Sequence, residues 1–279
     1  MNITDKNFFK TSDGAHIFFN DMGEGIPIIM IPGFLCTTKF FEKNAEVLSL
    51  KHRVILMDPR GQGNSSKTLA GNTLKRHAQD VKELIEHLQL DRVILAGWSL
   101  SASTVVLYAD LYREAHLAGI ALIDGTLYPF SDYSWNRHRG KGYNIDKWME
   151  NYMLLYYDQK AFFDRFLSRI SGQCAMDSET RAWIKEECMK TMPWNAMELH
   201  YDFCHTDNYS CLKNLSVPIA LFGGDSEAYG LDMLDAYAKE IQGYCEIHKF
   251  YKSGHLMFLY EAEKFNDCFM NFAEKVVKI

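Results

Sequence analysis

At 279 residues, 47% hydrophobic and 24% charged with a net charge of −6, the chain has the composition of one large globular domain with room for an inserted subdomain. The acidic balance argues against a nucleic-acid binder, which would carry a basic stripe, and no apolar stretch approaches the length needed to span a bilayer. Met1-Asn2-Ile3-Thr4-Asp5-Lys6 puts no apolar run behind a basic head, so a cytoplasmic protein with neither nucleic-acid nor membrane partners is expected. The seven cysteines are scattered and never spaced as C-x-x-C, which speaks against a disulfide framework or a zinc site. His200, Asp202, Cys204 and His205 form the one cluster that resembles a ligand set, but their spacing is poor for zinc, and no metal is expected.

Residues 7–21 read as two extended arms around the turn signal Ser12-Asp13-Gly14. Residues 26–31 form a nearly continuous apolar run, the pattern of a strand covered on both faces, and 53–57 and 92–96 repeat it. Between the latter two, 73–90 places Leu74, Ala78, Val81, Leu84, Ile85 and Leu88 on one face at helical spacing, which makes a strand-helix-strand crossover and hence a parallel sheet. The pattern recurs with strands at 117–123 and 217–222. The segment between them breaks the rhythm with many aromatics, among them Tyr128, Tyr143, Trp148, Tyr152, Phe162 and Phe166, and reads as an inserted helical lid. A helix near 231–241, a strand near 245–251 and a last helix with Phe265, Phe269, Phe272 and Val276 on one face complete an α/β chain. The division expected is a core of 1–125 and 217–279 with a lid of 126–216.

The sharpest local signal is Gly97-Trp98-Ser99-Leu100-Ser101, directly after a strand and before a helix-competent run. A serine on such a turn is pushed out of the sheet, and the helix N-terminus behind it favours developing negative charge. Alone, the serine could equally be an ordinary helix cap.

With three further motifs the sequence resembles the α/β-hydrolase fold superfamily over nearly the whole chain outside the lid. Ile31-Pro32-Gly33-Phe34 is similar to that family's His-Gly oxyanion loop, with proline for histidine; Asp58-Pro59-Arg60-Gly61-Gln62-Gly63-Asn64-Ser65 to its D-x-R-G-x-G-x-S segment; and Ser253-Gly254-His255 to its catalytic-histidine loop. The resemblance implies Ser99 as nucleophile, His255 as general base, the backbone N–H groups of Phe34 and Leu100 as oxyanion donors, and no cofactor. In the elbow, Ser101 stands where the family has a second glycine.

The third triad member has three candidates, Asp124, Asp225 and Glu227. Asp124 is preferred, because it ends the strand that follows the Ser99 helix, and parallel strands joined by a crossover usually lie side by side and end at the ligand-binding edge. Within the superfamily, one subgroup of haloalkane dehalogenases and the cofactor-free quinolone dioxygenases carry their acid there. Most members have G-x-x-D after the next strand; the text here is Gly223-Gly224-Asp225-Ser226-Glu227.

Fold does not fix function, and the superfamily spans esterases, lactonases, amidases, perhydrolases, dioxygenases and hormone receptors. Dehalogenases and epoxide hydrolases attack with an aspartate where this chain has Ser99. The expectation is a serine hydrolase acting on an ester, lactone or related acyl bond of a small apolar substrate under the aromatic lid. The alternatives are a receptor or regulatory protein with slow or no turnover, and cofactor-free oxygenase or perhydrolase chemistry.

Overall fold

The computed structural model describes residues 7–137, 144–171, 174–226 and 229–278. Eight strands form one sheet in the order β1-β2-β4-β3-β5-β6-β7-β8. β1 (Phe8–Lys10) and β2 (His16–Met22) make the expected hairpin, and β2 runs antiparallel to β4 (Arg53–Met57). β4, β3 (Pro27–Ile31), β5 (Val93–Trp98), β6 (Leu117–Ile123), β7 (Ile219–Gly224) and β8 (Cys245–Phe250) pair in parallel.

Successive side chains of a strand point to opposite faces, so each apolar run feeds two cores. Ile28, Met30, Val54, Leu56, Ile94, Ala96, Ala121, Ile123, Ala220 and Phe222 face one cluster. It is covered by α1 (Glu42–Leu48) and by α9 (Ala262–Lys278), which buries Phe265, Phe269, Phe272 and Val276. Ile29, Ile31, Ile55, Val93, Leu95, Ile120, Leu122, Ile219 and Leu221 face the other, with α2 (Leu74–His87), α3 (Leu100–Tyr112) and α8 (Leu231–Glu240). The sequence pattern leaves α1 unassigned, since seven residues hold too few turns for a helical period to stand out. β5 runs two residues past its expected end because Gly97 and Trp98 still pair with Leu122 and Ile123. β7 starts at Ile219 rather than 217, since Pro218 has no N–H to give to the ladder.

Among the described residues four α-helices stand between β6 and β7: α4 (Ile145–Tyr157), α5 (Gln159–Ser171), α6 (Ser178–Cys188) and α7 (Pro193–His205). Asn144 caps α4 and Asp177 caps α6, each side chain accepting from backbone N–H groups of the first turn. Their buried Trp148, Tyr152, Phe163, Leu167 and Leu199 join the cluster that holds Phe40 and Trp98, so the insert roofs the sheet and shares its core. Of the aromatics named above, Tyr143 lies outside the described residues.

Candidate active site

β3 lies between β4 and β5, so the connections leaving β3 and β5 diverge and open a crevice at their carboxyl ends. Ile31 pairs with Gly97 across that boundary, which sets the loop 32–36 against the turn holding Ser99. Ser99 has φ 57° and ψ −123°, a backbone strained for a residue with a side chain. The packing leaves no alternative: a Cβ on Gly97 would stand 2.2 Å from the Ser101 carbonyl oxygen, and one on Gly125 2.3 Å from that of Ser99. Ser101 does more than replace a small residue, since its hydroxyl donates to the Pro32 carbonyl at 2.6 Å and ties helix α3 to the loop.

That loop is braced from the other side by Gln62. Its Oε1 accepts from the Leu35 N–H at 2.8 Å, and its Nε2 donates to the Gly33 and Cys36 carbonyls at 3.1 and 3.0 Å. Asp58 accepts from the Thr38 and Asn64 N–H groups, and buried Arg60 bridges Asp80 and Asp13. The 58–65 segment thus fixes the geometry of its neighbours. The N–H groups of Phe34 and Leu100 enter none of the described hydrogen bonds, and Leu100 begins α3, where the first amides have no helical acceptor.

Asp124 and His255, 131 residues apart, meet at 2.7 Å through Oδ2 and Nδ1, both buried. The second Asp124 oxygen accepts from the Gly224 N–H at 3.1 Å. Gly224 carries no side chain for a reason: a Cβ there would sit 1.9 Å from the Gly254 carbonyl and block the His255 loop. Burial pushes the Asp124 carboxyl up, and the hydrogen bond from His255 opposes it. Asp124 itself has φ 45°, a second strained non-glycine residue at the same sheet edge. Asp225 faces away, its half-exposed carboxylate 3.6 Å from the Arg137 guanidinium. Glu227 lies outside the described residues.

Ser99 and His255 line one cavity of about 90 Å³ together with Phe34, Leu100, Phe166 and Phe203. The apolar wall under the insert matches the expectation; several polar members do not. Tyr229 stacks on the His255 ring at 4.4 Å and 4° and lines the cavity with Ser99. Among the described hydrogen bonds none joins Ser99 to His255. Arg165, Arg169 and His200 also line the cavity. Sequence reasoning missed Tyr229, Arg165 and Arg169 and weighed His200 only as a metal ligand, since Tyr229 follows no recognised motif and the others are single polar positions in amphipathic helices. The cluster weighed as metal ligands disperses: Asp202 accepts from the Leu74 N–H, the His205 ring meets the Tyr201 carbonyl, and only His200 and Cys204 touch.

A family model described as alpha/beta hydrolase fold matches residues 26–174. The chain is 25% identical to the AB hydrolase superfamily protein YisY of Bacillus subtilis (strain 168), over 96% of this chain and 98% of that protein. Among solved structures it is similar to an esterase from Exiguobacterium antarcticum, with a TM-score of 0.87 and 22% identity over 96% of this chain and 99% of the other. It is also similar to a bromoperoxidase from Bacillus anthracis, with a TM-score of 0.84 and 21% identity over 94% and 96% of the two chains.

Proposed function

The chain belongs to the alpha/beta hydrolase fold family, and we propose that within it this protein is a serine hydrolase cleaving an ester, lactone or related acyl bond of a small substrate. Ser99 is the nucleophile, His255 the general base and Asp124 the acid that orients it. The observation that carries the reading is the buried 2.7 Å pair of Asp124 and His255, set in the wall of the cavity that Ser99 also lines. An unassisted hydroxyl is a weak nucleophile. As the acyl group binds, Ser99 closes a hydrogen bond to His255, a contact that commonly tightens only in the substrate complex. His255 takes the proton and returns it to the leaving group; Asp124 holds the imidazole in the productive tautomer and stabilises its cation. The amides of Phe34 and Leu100 receive the oxyanion, and the α3 N-terminus adds to that field. Hydrolysis of the acyl-enzyme by water repeats the proton transfers. Residues 126–216 act as the lid that excludes bulk water from this chemistry.

A fluorophosphonate probe is expected to add its mass at Ser99, and Ser99→Ala to lose both labelling and turnover of p-nitrophenyl acetate. An adduct mapping to Ser101 or Ser103 would sink the assignment. Labelling without turnover of any ester, lactone or amide would favour the receptor reading instead.

A further inference from the structure

The cavity wall contributed by α5 repeats at helical spacing: Phe162, Phe166 and Ile170 supply its apolar part, while Arg165 and Arg169, one turn apart, flank it. No aspartate or glutamate is among the described residues lining the cavity, although the chain as a whole carries a charge of −6. Arg169 reaches inward electrostatically: its charge helps hold His200 down to about 3, beside the larger effect of burial, and opposes the upward push of burial on Tyr229. Arg169 is exposed and lines the same cavity as Tyr229 and Ser99. Arg165 pairs at 3.2 Å with Glu150, both more than 40% exposed, a weak, solvent-screened interaction that a ligand anion can replace.

We infer that the substrate of the proposed hydrolase carries a carboxylate, bound by the guanidinium of Arg169 with Arg165 beside it, while its acyl carbonyl lies at Ser99. The inference rests on the serine-hydrolase reading above and names its substrate class: short acyl esters or lactones with a free acid group, such as the half-esters of small dicarboxylic acids. A planar guanidinium fork grips a carboxylate through two parallel hydrogen bonds, which fixes orientation as well as affinity. Phe162, Phe166 and Ile170 supply the apolar surface between the two ends. The competing role for these arginines is to lay their aliphatic stems over the aromatic wall and keep their charges in water.

The test compares kcat/KM for monomethyl succinate, glutarate and adipate with the neutral methyl esters of the same chain length. The wild-type protein is expected to prefer the best half-ester by tenfold or more, and the preference to shrink as salt is raised. Arg169→Gln is expected to collapse that ratio and Arg169→Lys to keep part of it, with melting temperatures checking that each variant is folded. A wild-type preference for neutral esters, or a ratio unchanged in folded Arg169→Gln, would overturn the carboxylate assignment while leaving neutral-ester turnover and Ser99 labelling as support for the hydrolase. Loss of both labelling and all turnover in the wild type would overturn the two together.

Discussion

At the scale of single residues, Asp124 carries the most consequence for its size. Its burial disfavours the charged form, its left-handed backbone costs about 1–3 kcal/mol, and one hydrogen bond from His255 and one from Gly224 offset these. A strand-end aspartate that merely caps a turn would need none of this. Asp124→Asn keeps the shape but accepts differently from the imidazole, and kcat is expected to fall by about 10³-fold or more with little change in melting temperature. Asp225→Asn should stay near wild type, because that carboxylate meets Arg137 at the surface. Should Asp124→Asn remain near wild type while Glu227→Gln loses a hundredfold, the acid belongs after β7 and the assignment is wrong.

Among elements, the β5–α3 turn shows how a local sequence fixes a strained conformation. Gly97 lets α3 lie directly on its strand, Gly125 lets the chain after β6 pass under Ser99, and Ser101 replaces the family's second glycine with a hydrogen bond to the Pro32 carbonyl in the loop after β3. Adding a methyl group to Gly97 drives it to 2.2 Å from backbone, which no side-chain rotation relieves. Gly97→Ala is expected to destabilise by about 3 kcal/mol and to slow fluorophosphonate labelling of whatever fraction folds. Chemical denaturation with labelling kinetics would show this; a variant as stable and as reactive as wild type would mean the turn is looser than its packing implies. The Gln62 brace explains a motif that family resemblance treats as structural: its three bonds hold the loop that presents the Phe34 amide.

For the whole molecule, acid stability turns on histidines that the fold keeps neutral. Burial first, then the Arg60 and Arg76 charges, push His77 down to about 3, and its Nε2 has no hydrogen-bond partner among the described residues. Unfolded histidine titrates near 6.5, so the folded state binds fewer protons between about 3 and 6.5 and loses stability as pH falls through that window. Asp58, pushed up to about 6 by burial, acts in the opposite sense. The clean measurement is therefore a difference: the stability advantage of wild type over His77→Gln should shrink as pH falls from 7 to 4.5, by up to about 1.4 kcal/mol per unit. Parallel melting curves across that range would remove His77 from the account. Much of the molecule is legible without coordinates. Alternating apolar strands, one long amphipathic helix between two of them and four ordered motifs determine a parallel sheet, and the chain's order alone puts Ser99 and Asp124 at one sheet edge, because side chain period and crossover handedness are local properties. Tertiary structure alone decided which carboxylate meets His255, since Asp124, Asp225 and Glu227 all follow adjacent strands and only the path of the 253–255 loop over Gly224 separates the first two. It alone also brought Tyr229, Arg165 and Arg169 to the wall of the cavity that Ser99 lines. The rotation of an inserted helix about its axis is set by packing against distant residues, and no pattern within the helix records it.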